Sequence, residues 1–241
     1  MMALVIAHRG ASGYAPENTM PAFEKALDMG TEGIELDVHM TADGEIVVIH
    51  DHTIDRTSNG KGLVKTFTLD QIKEFDFGSW FNPGFRGIKI PTLGEVLELL
   101  KDWEGLLNIE IKSGPIFYEG IEDKLIDMIK EYNFEDRVIF SSFNHYSLRD
   151  LKAIAPSVEI GLLYMAGLVE PYQYAKSLGA EALHPLYYNI VPELVEGCKR
   201  NGIKLNPFTV NDIKEIEMIM AAGVDGIITD YPDRALSVKG N

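Results

Sequence analysis

In Gly33-Ile-Glu35-Leu-Asp37-Val-His39, an apolar strand-like run carries two carboxylates two residues apart. Successive side chains of a strand point to opposite faces, so Glu35 and Asp37 share one side and Ile34, Leu36 and Val38 the other. Carboxylates inside such a run are costly to bury unless something cationic neutralises them. Two further runs carry the same signature. Leu4-Val-Ile-Ala-His8-Arg9-Gly10 closes on a histidine and an arginine, and Leu106-Leu-Asn-Ile-Glu110-Ile-Lys112 places Glu110 and Lys112 on one face. Ionisable residues gathered at the ends of apolar strands point to a metal-assisted site for an anionic substrate.

Outward from these runs, strand-like and helical patterns alternate nearly from end to end. Strands are expected at 4–7, 33–39, 46–50, 106–112, 138–143, 159–164, 182–185, 204–210 and 226–229. Helices are expected at 20–29, 93–103, 119–132, 147–155, 171–178, 192–201 and 212–222. Several helical patterns stop at a glycine, Gly30, Gly179, Gly202 or Gly223, which is the chemistry of a helix C-terminus. Alternation of this kind implies βαβ units and a parallel sheet. The count nears eight if 33–39 and 46–50 form one repeat joined by Ala42-Asp43-Gly44, which predicts a (β/α)8 TIM barrel. No G-x-G-x-x-G follows a strand, so a dinucleotide-binding sheet lacks support. From about residue 53 to 91 the rhythm breaks into glycine, aromatics and charge. This segment is expected to be a small subdomain inserted after the second strand unit, on the side of the active site, within a single barrel domain spanning 1–241.

A length of 241 residues suits one such barrel. Twenty-two basic against 37 acidic residues leave a net charge of −15, which opposes nonspecific attraction to nucleic acid or to an anionic membrane. An anionic substrate therefore needs a local positive patch or a metal, which gives Arg9 and Lys112 their importance. Cys198 is the one cysteine, so no intrachain disulfide forms. The apolar run at the N-terminus stops at His8, and no stretch approaches the ~20 apolar residues of a membrane span. A soluble, cytoplasmic protein without stable membrane insertion is the expectation.

Active sites of such barrels lie at the C-terminal ends of the strands. His8, Asp37, His50, Glu110, Lys112, Phe143 and Phe208 all fall at or near that end of their runs. Glu35, Asp37 and Glu110 offer hard oxygen ligands suited to Mg²⁺ or Ca²⁺; the alternative is an internal salt-bridge network with Lys112 and Arg9. His8 and His50 read as an acid–base pair, each with the alternative of a structural histidine or a metal ligand. Arg9 is placed to grip a phosphate through paired donors, and Phe208 to wall the pocket. His39 reads as peripheral, and His52, His145 and His184 as loop or rim residues. Asn18 or Thr19 would cap the first helix and Asn211 a later one, Glu17 would orient substrate or Arg9, and Asp230 would cap or fix a loop.

Nine short pieces in order sharpen this. They are His8-Arg-Gly10, Pro16-Glu-Asn-Thr19, Glu35-Leu-Asp37-Val, His50-Asp51, Ile90-Pro-Thr-Leu93, Glu110-Ile-Lys112, Ser142-Phe143, Phe208-Thr-Val-Asn211 and Thr229-Asp-Tyr-Pro232. Over essentially its whole length the chain resembles the glycerophosphodiester phosphodiesterase family. The resemblance implies a (β/α)8 barrel with a small insertion and one divalent metal ion, Mg²⁺ or Ca²⁺, on Glu35, Asp37 and Glu110. It also implies His8 and His50 as general acid and base, with Arg9 and Lys112 on the phosphate. The activity implied is hydrolysis of glycerophosphodiesters to sn-glycerol 3-phosphate and an alcohol, a step of glycerol and lipid metabolism. The family usually has tryptophan where this chain has Phe208, which bears on pocket shape.

Two relatives in chemistry share the barrel. A lysophospholipase D would expose apolar surface near the mouth, for which Trp80, Phe81 and Phe85 are available, and a phosphoinositide phospholipase C would have little need of all three acidic ligands. A noncatalytic barrel binding phosphorylated ligands has no use for both histidines and all three carboxylates. The preferred partner is thus a small soluble glycerophosphodiester. The aromatics of the insertion also offer a surface for a homodimer, whereas the acidic surface favours a monomer.

Overall fold

A computed structural model of the chain describes residues 3–240. In chain order its elements are β1 (Leu4–His8), α1 (Met20–Asp28), β2 (Gly33–Met40), β3 (Ile46–Val48), α2 (Leu69–Ile72), α3 (Leu93–Leu99), β4 (Leu106–Ile111), α4 (Ile121–Glu131) and β5 (Val138–Ser142). They continue with α5 (His145–Ile154), β6 (Glu159–Tyr164), α6 (Pro171–Leu178), β7 (Ala182–Pro185), α7 (Pro192–Asn201), β8 (Lys204–Leu205), α8 (Ile213–Ala222), β9 (Gly226–Thr229) and α9 (Pro232–Lys239).

Eight strands pair in parallel in the order β8-β7-β6-β5-β4-β2-β1-β9. The two ends of that path meet through backbone hydrogen bonds. The Asp225 N–H donates to the Leu205 carbonyl at 3.0 Å, Ile228 to Pro207 at 3.0 Å, and Val210 to Ile228 at 2.9 Å. The sheet thereby curls into a (β/α)8 barrel. β3 lies outside this ring as an antiparallel partner of β2, with Val38 opposite Val48, so 33–39 and 46–50 do belong to one repeat. The strand expected at 204–210 is regular only at Lys204–Leu205. Pro207 has no N–H to donate to a ladder, and beyond it a lone bridge between Leu186 and Phe208 continues the pairing. α9 was absent from the helical readings of the sequence; it starts at Pro232, whose fixed φ suits a first helical position.

The faces of the strands are divided by chemistry. Ile34, Leu36 and Val38 of β2, Leu107, Ile109 and Ile111 of β4, and Val138 and Phe140 of β5 pack outward with helix residues such as Phe23, Leu97, Leu125 and Leu148 in one buried cluster. The alternate positions face the barrel axis. There the lower layer depends on small residues: a Cβ at Gly33 would sit 2.8 Å from Ile6, one at Gly226 2.6 Å from Asn206, and one at Gly161 2.6 Å from the His184 ring. His184 is therefore a completely buried interior residue, its Nε2 accepting from Asn206 at 3.1 Å, and not a rim residue. A single strand at β7 cannot announce this, because only closure of the ring decides which face is enclosed.

Between β3 and α3 the chain builds its own small core from Ile49, Ile54, Val64, Ile72, Phe77 and Ile90 against Val47. α2 is held at its start by a reciprocal pair, Thr68 Oγ1 accepting from the Gln71 N–H and Gln71 accepting from the Thr68 N–H. Among the described residues no helix is long and apolar enough to cross a membrane.

Gly161→Ala should overpack the barrel interior against His184 and lower stability by about 1–3 kcal/mol. The check is the denaturant midpoint, with an unchanged midpoint contradicting the packing described.

Candidate active site

At the C-terminal end of the barrel, β2 and β4 lie side by side with Asp37 opposite Glu110. That register and the period of two bring Glu35, Asp37 and Glu110 together, all buried, with one oxygen of each within 4.8 Å of the others. Two cations face the three carboxylates. Lys112 Nζ donates to Glu110 Oε1 at 2.6 Å and stands 3.6 Å from Asp37 Oδ1. Arg9 Nε is 3.3 Å from Asp37 Oδ2, and the Arg9 backbone N–H donates to Glu35 Oε2 at 2.9 Å. Asn18 completes the cradle, its amide donating to Asp37 Oδ2 at 2.8 Å.

Arg9 and Asn18 both adopt left-handed backbone, with φ of 55° and 56°, a conformation that costs about 1–3 kcal/mol outside glycine. The Asn18 N–H donates to the Arg9 carbonyl at 3.0 Å, so the two strained residues brace each other. Asn18 is thus a site residue and not a cap. Thr19 occupies the position before α1 but turns its hydroxyl back to the Pro16 carbonyl, and Asp212, not Asn211, caps α8.

The charges are unequal. Burial pushes Glu35 well above the usual carboxylate range, and the neighbouring Asp37 and Glu110 push it further. Glu110 is raised to about 7 by burial and by Asp37. Burial acts on Asp37 in the same direction, but Arg9, Lys112 and His50 outweigh it and hold that carboxyl far below its ordinary value. Burial works against the charge of Lys112 too, and Asp37 and Glu110 more than restore it. Three carboxylates against two cations leave the cluster short of positive charge, and Asp37 Oδ1 is buried with no hydrogen-bond partner. An all-oxygen donor set with an orphaned carboxylate oxygen fits a hard divalent cation.

Both histidines are oriented by carboxylates. His8 Nδ1 is 2.6 Å from Asp230 Oδ1, and His50 Nδ1 is 2.6 Å from Asp51 Oδ1. A carboxylate accepts, so each Nδ1 carries a proton, and each Nε2 is the nitrogen available for proton exchange. His8 Nε2 lies 4.0 Å from Glu35 Oε2, facing the acidic cluster. Burial, more than Arg9 and Lys112, lowers the pKa of His50 despite Asp37. Asp230 is itself held by the Asn211 amide at 2.6 Å and the Ser12 hydroxyl at 2.9 Å. His39, read as peripheral, is fully buried and donates from Nε2 to the His50 carbonyl at 3.1 Å while Tyr118 donates to its Nδ1 at 2.8 Å.

Phe208 lines a small cavity with His8, Glu35, Glu110, Asn108 and Ser141, and its ring meets Phe143 edge-on at 5.9 Å. A wider groove of about 790 Å³ runs along the outside of the barrel between Met20, Glu95, Leu99 and Met128 and contains none of these residues. Glu17 reaches Arg9 Nη1 at 2.7 Å, as expected, and also receives Arg56 from the insertion. Sequence reasoning gave Asp51, Asp230 and Asn18 no part in the site, although all three lie inside the quoted motifs. Arg56 had no motif to mark it.

The model of the Glycerophosphoryl diester phosphodiesterase family matches residues 8–234. A glycerophosphodiester phosphodiesterase of Caldanaerobacter subterraneus subsp. tengcongensis is 59% identical over 238 residues, covering 99% of this chain and 98% of the relative. A phosphodiesterase of Oleispira antarctica, solved in complex with the product sn-glycerol 3-phosphate, is 31% identical with a TM-score of 0.89 and covers 100% of this chain and 98% of its own. A glycerophosphodiester phosphodiesterase of Agrobacterium tumefaciens gives 29% identity and a TM-score of 0.86 over 98% of this chain and all of its own. The nine motifs, the barrel and the carboxylate cluster thus agree with sequence and structural likeness along the whole chain, and the chain belongs to the glycerophosphoryl diester phosphodiesterase family, whose members hydrolyse glycerophosphodiesters.

Proposed function

We propose that this site cleaves glycerophosphodiesters to sn-glycerol 3-phosphate and an alcohol by a two-histidine acid–base mechanism. The observation that carries the reading is the pair His8–Asp230 and His50–Asp51, each at 2.6 Å, flanking the buried cluster of Glu35, Asp37 and Glu110. One histidine accepts the proton of the nucleophile through its Nε2 lone pair, and the other, protonated, donates to the leaving alkoxide. Asp230 and Asp51 keep the imidazoles in the required tautomer and steady the imidazolium that forms. Arg9 and Lys112 supply positive charge where the phosphate gathers negative charge, and Phe208 forms an apolar wall of the pocket.

Glu35, Asp37 and Glu110 are the residues that would hold a single divalent cation, Mg²⁺ or Ca²⁺. Such an ion, when bound, supplies Lewis-acid stabilisation of charge on the phosphate. The convergence of all three carboxylates supports this reading over a phosphoinositide phospholipase C, which has little need of them. The net charge of −15 supports small, deacylated diesters in solution over substrates in an anionic membrane. A second reading, lysophospholipase D, is favoured by exposed Trp80 in the insertion and exposed Phe143 at the rim. Activity on lysophospholipid vesicles exceeding that on glycerophosphocholine would select it. We place the enzyme in the cytoplasm, a reading supported by its lone cysteine, Cys198, which is buried and unpaired.

Release of glycerol 3-phosphate from glycerophosphocholine should vanish with EDTA and return with Mg²⁺ or Ca²⁺; persistence in EDTA would remove the metal from the scheme. His8→Ala and His50→Ala should each cut kcat by about 10²–10⁴ while leaving the circular dichroism spectrum unchanged. Near-normal kcat in either variant would refute the paired mechanism.

Proton linkage gives a further test. Glu35 and Glu110 have raised pKa values in the folded chain, so without metal the folded state retains protons that the unfolded chain has released. Their contribution to stability then falls as pH rises from the ordinary carboxylate range through about 7 for Glu110. A cation competes with those protons. The rise in melting temperature on adding Mg²⁺ or Ca²⁺ should therefore be larger at pH 8 than at pH 6, and equal shifts at both would contradict the linkage.

A further inference from the structure

We propose that Arg56, delivered by the insertion, is a positioning residue that locks His50 and Arg9 into one framework. The proposal rests on the roles given to those two residues above. The Arg56 guanidinium donates to two carboxylates at once. Its Nε meets Asp51 Oδ2 at 2.8 Å and its Nη2 meets Asp51 Oδ1 at 3.1 Å. On the other side Nη1 meets Glu17 Oε2 at 2.7 Å and Nη2 meets Glu17 Oε1 at 2.8 Å. Each carboxylate then passes to a different part of the site. Asp51 Oδ1 holds His50 Nδ1 at 2.6 Å, and Glu17 Oε1 holds Arg9 Nη1 at 2.7 Å.

The result is a continuous path, His50–Asp51–Arg56–Glu17–Arg9, joining two separate stretches of chain. Arg9 and Glu17 lie in the loop between β1 and α1, and His50, Asp51 and Arg56 follow β3, with Arg56 in the insertion. An isolated ion pair on a surface as open as that of Arg56, whose side chain is 44% exposed, contributes little to stability. The geometry here is different, because two donors of one rigid plane meet each carboxylate. Lysine offers a single point charge and cannot bridge both in this way.

Arg56 is in turn held in place from below. Ile54, two residues earlier, is fully buried in the core of the insertion, and Thr53 pairs with Leu63 to close the loop that carries it. The Ser58 hydroxyl caps the Ile54 carbonyl at 2.6 Å within the same loop. The small core of the insertion therefore presents one guanidinium to the rim of the barrel at a fixed height. Without it, Asp51 and Glu17 keep their charges but lose the group that holds them in register, and both His50 and Arg9 gain freedom.

The test is steady-state release of glycerol 3-phosphate from glycerophosphocholine by wild type, Arg56→Ala, Arg56→Lys and His50→Ala. All are assayed with the divalent ion that supports activity, and melting temperatures are measured on the same samples. Arg56→Ala should lose about 10–100-fold in kcat, the usual effect of removing a group that orients a reacting side chain, and raise KM through Arg9. Millimolar guanidinium should restore part of the Arg56→Ala rate and none of the His50→Ala rate, because only the first lacks a guanidinium. Arg56→Lys, which keeps the charge and the long side chain, should fold normally and still fall below wild type. Wild-type kcat in Arg56→Ala would overturn the proposal. So would a loss that guanidinium does not rescue and that merely follows a lowered melting temperature. His50→Ala separates the two readings: near-normal turnover there overturns the role of His50 itself, whereas lost turnover there with full activity in Arg56→Ala overturns only the positioning.

Discussion

Three carboxylates crowded at one end of a barrel repel one another, and much of the architecture around them serves to contain that repulsion. Asp37 is fully buried, where an unpaired charge is far more costly than in water. Its neutralisation draws Arg9 from the loop after β1 and Lys112 from the end of β4, and Asn18 adds a hydrogen bond from the approach to α1. Two of these contacts depend on left-handed backbone at Arg9 and Asn18, so local strain is accepted where it brings donors to the acids. Positive charge still falls short, and Glu35 and Glu110 answer by holding protons more tightly. The three carboxylates that gather there are the donors that could hold a metal ion.

The barrel separates the cost of this site from the stability of the fold. One face of every strand feeds the apolar layer beneath the helices, and that layer is continuous around the ring. The other face is left to packing at the bottom, where Gly33, Gly161 and Gly226 make room for Ile6, His184 and Asn206, and to chemistry at the top. Glu35 and Leu36 are adjacent in sequence, yet one belongs to the acidic cluster and the other to the core. The acids of the site and the apolar layer beneath the helices thus occupy opposite faces of the same strands.

The insertion follows the same economy of roles. Its apolar core is separate from that of the barrel, and its polar contribution to the site is concentrated in Arg56. Burial would raise both carboxyls, but Arg56 and His50 hold Asp51 well below the usual carboxylate range, and Arg56 and Arg9 lower Glu17. They remain charged acceptors across the neutral range, one for His50 and the other for Arg9. A subdomain of modest size thus extends the influence of the barrel strands to loops that the strands alone do not restrain.

Local pattern was enough for most of the strands, the parallel pairing, the turn at Ala42-Asp43-Gly44 and the carboxylates of β2 and β4, because period and spacing report which residues share a face. The motifs likewise marked His8, His50, Arg9, Lys112 and Phe208. Closure of the ring was needed for the rest. It turned His184 from a rim residue into an interior one, while the β2–β3 hairpin carried His39 beneath His50. Closure also set Asp230 against His8 across 222 positions of sequence, and Arg56 against Glu17 across 39. Sequence by itself determined the kinds of groups in the site and the strands that bear them. Which of those groups hold one another was decided only in three dimensions, since a hydrogen bond between distant residues depends on how loops descend onto the barrel, and no periodicity records that.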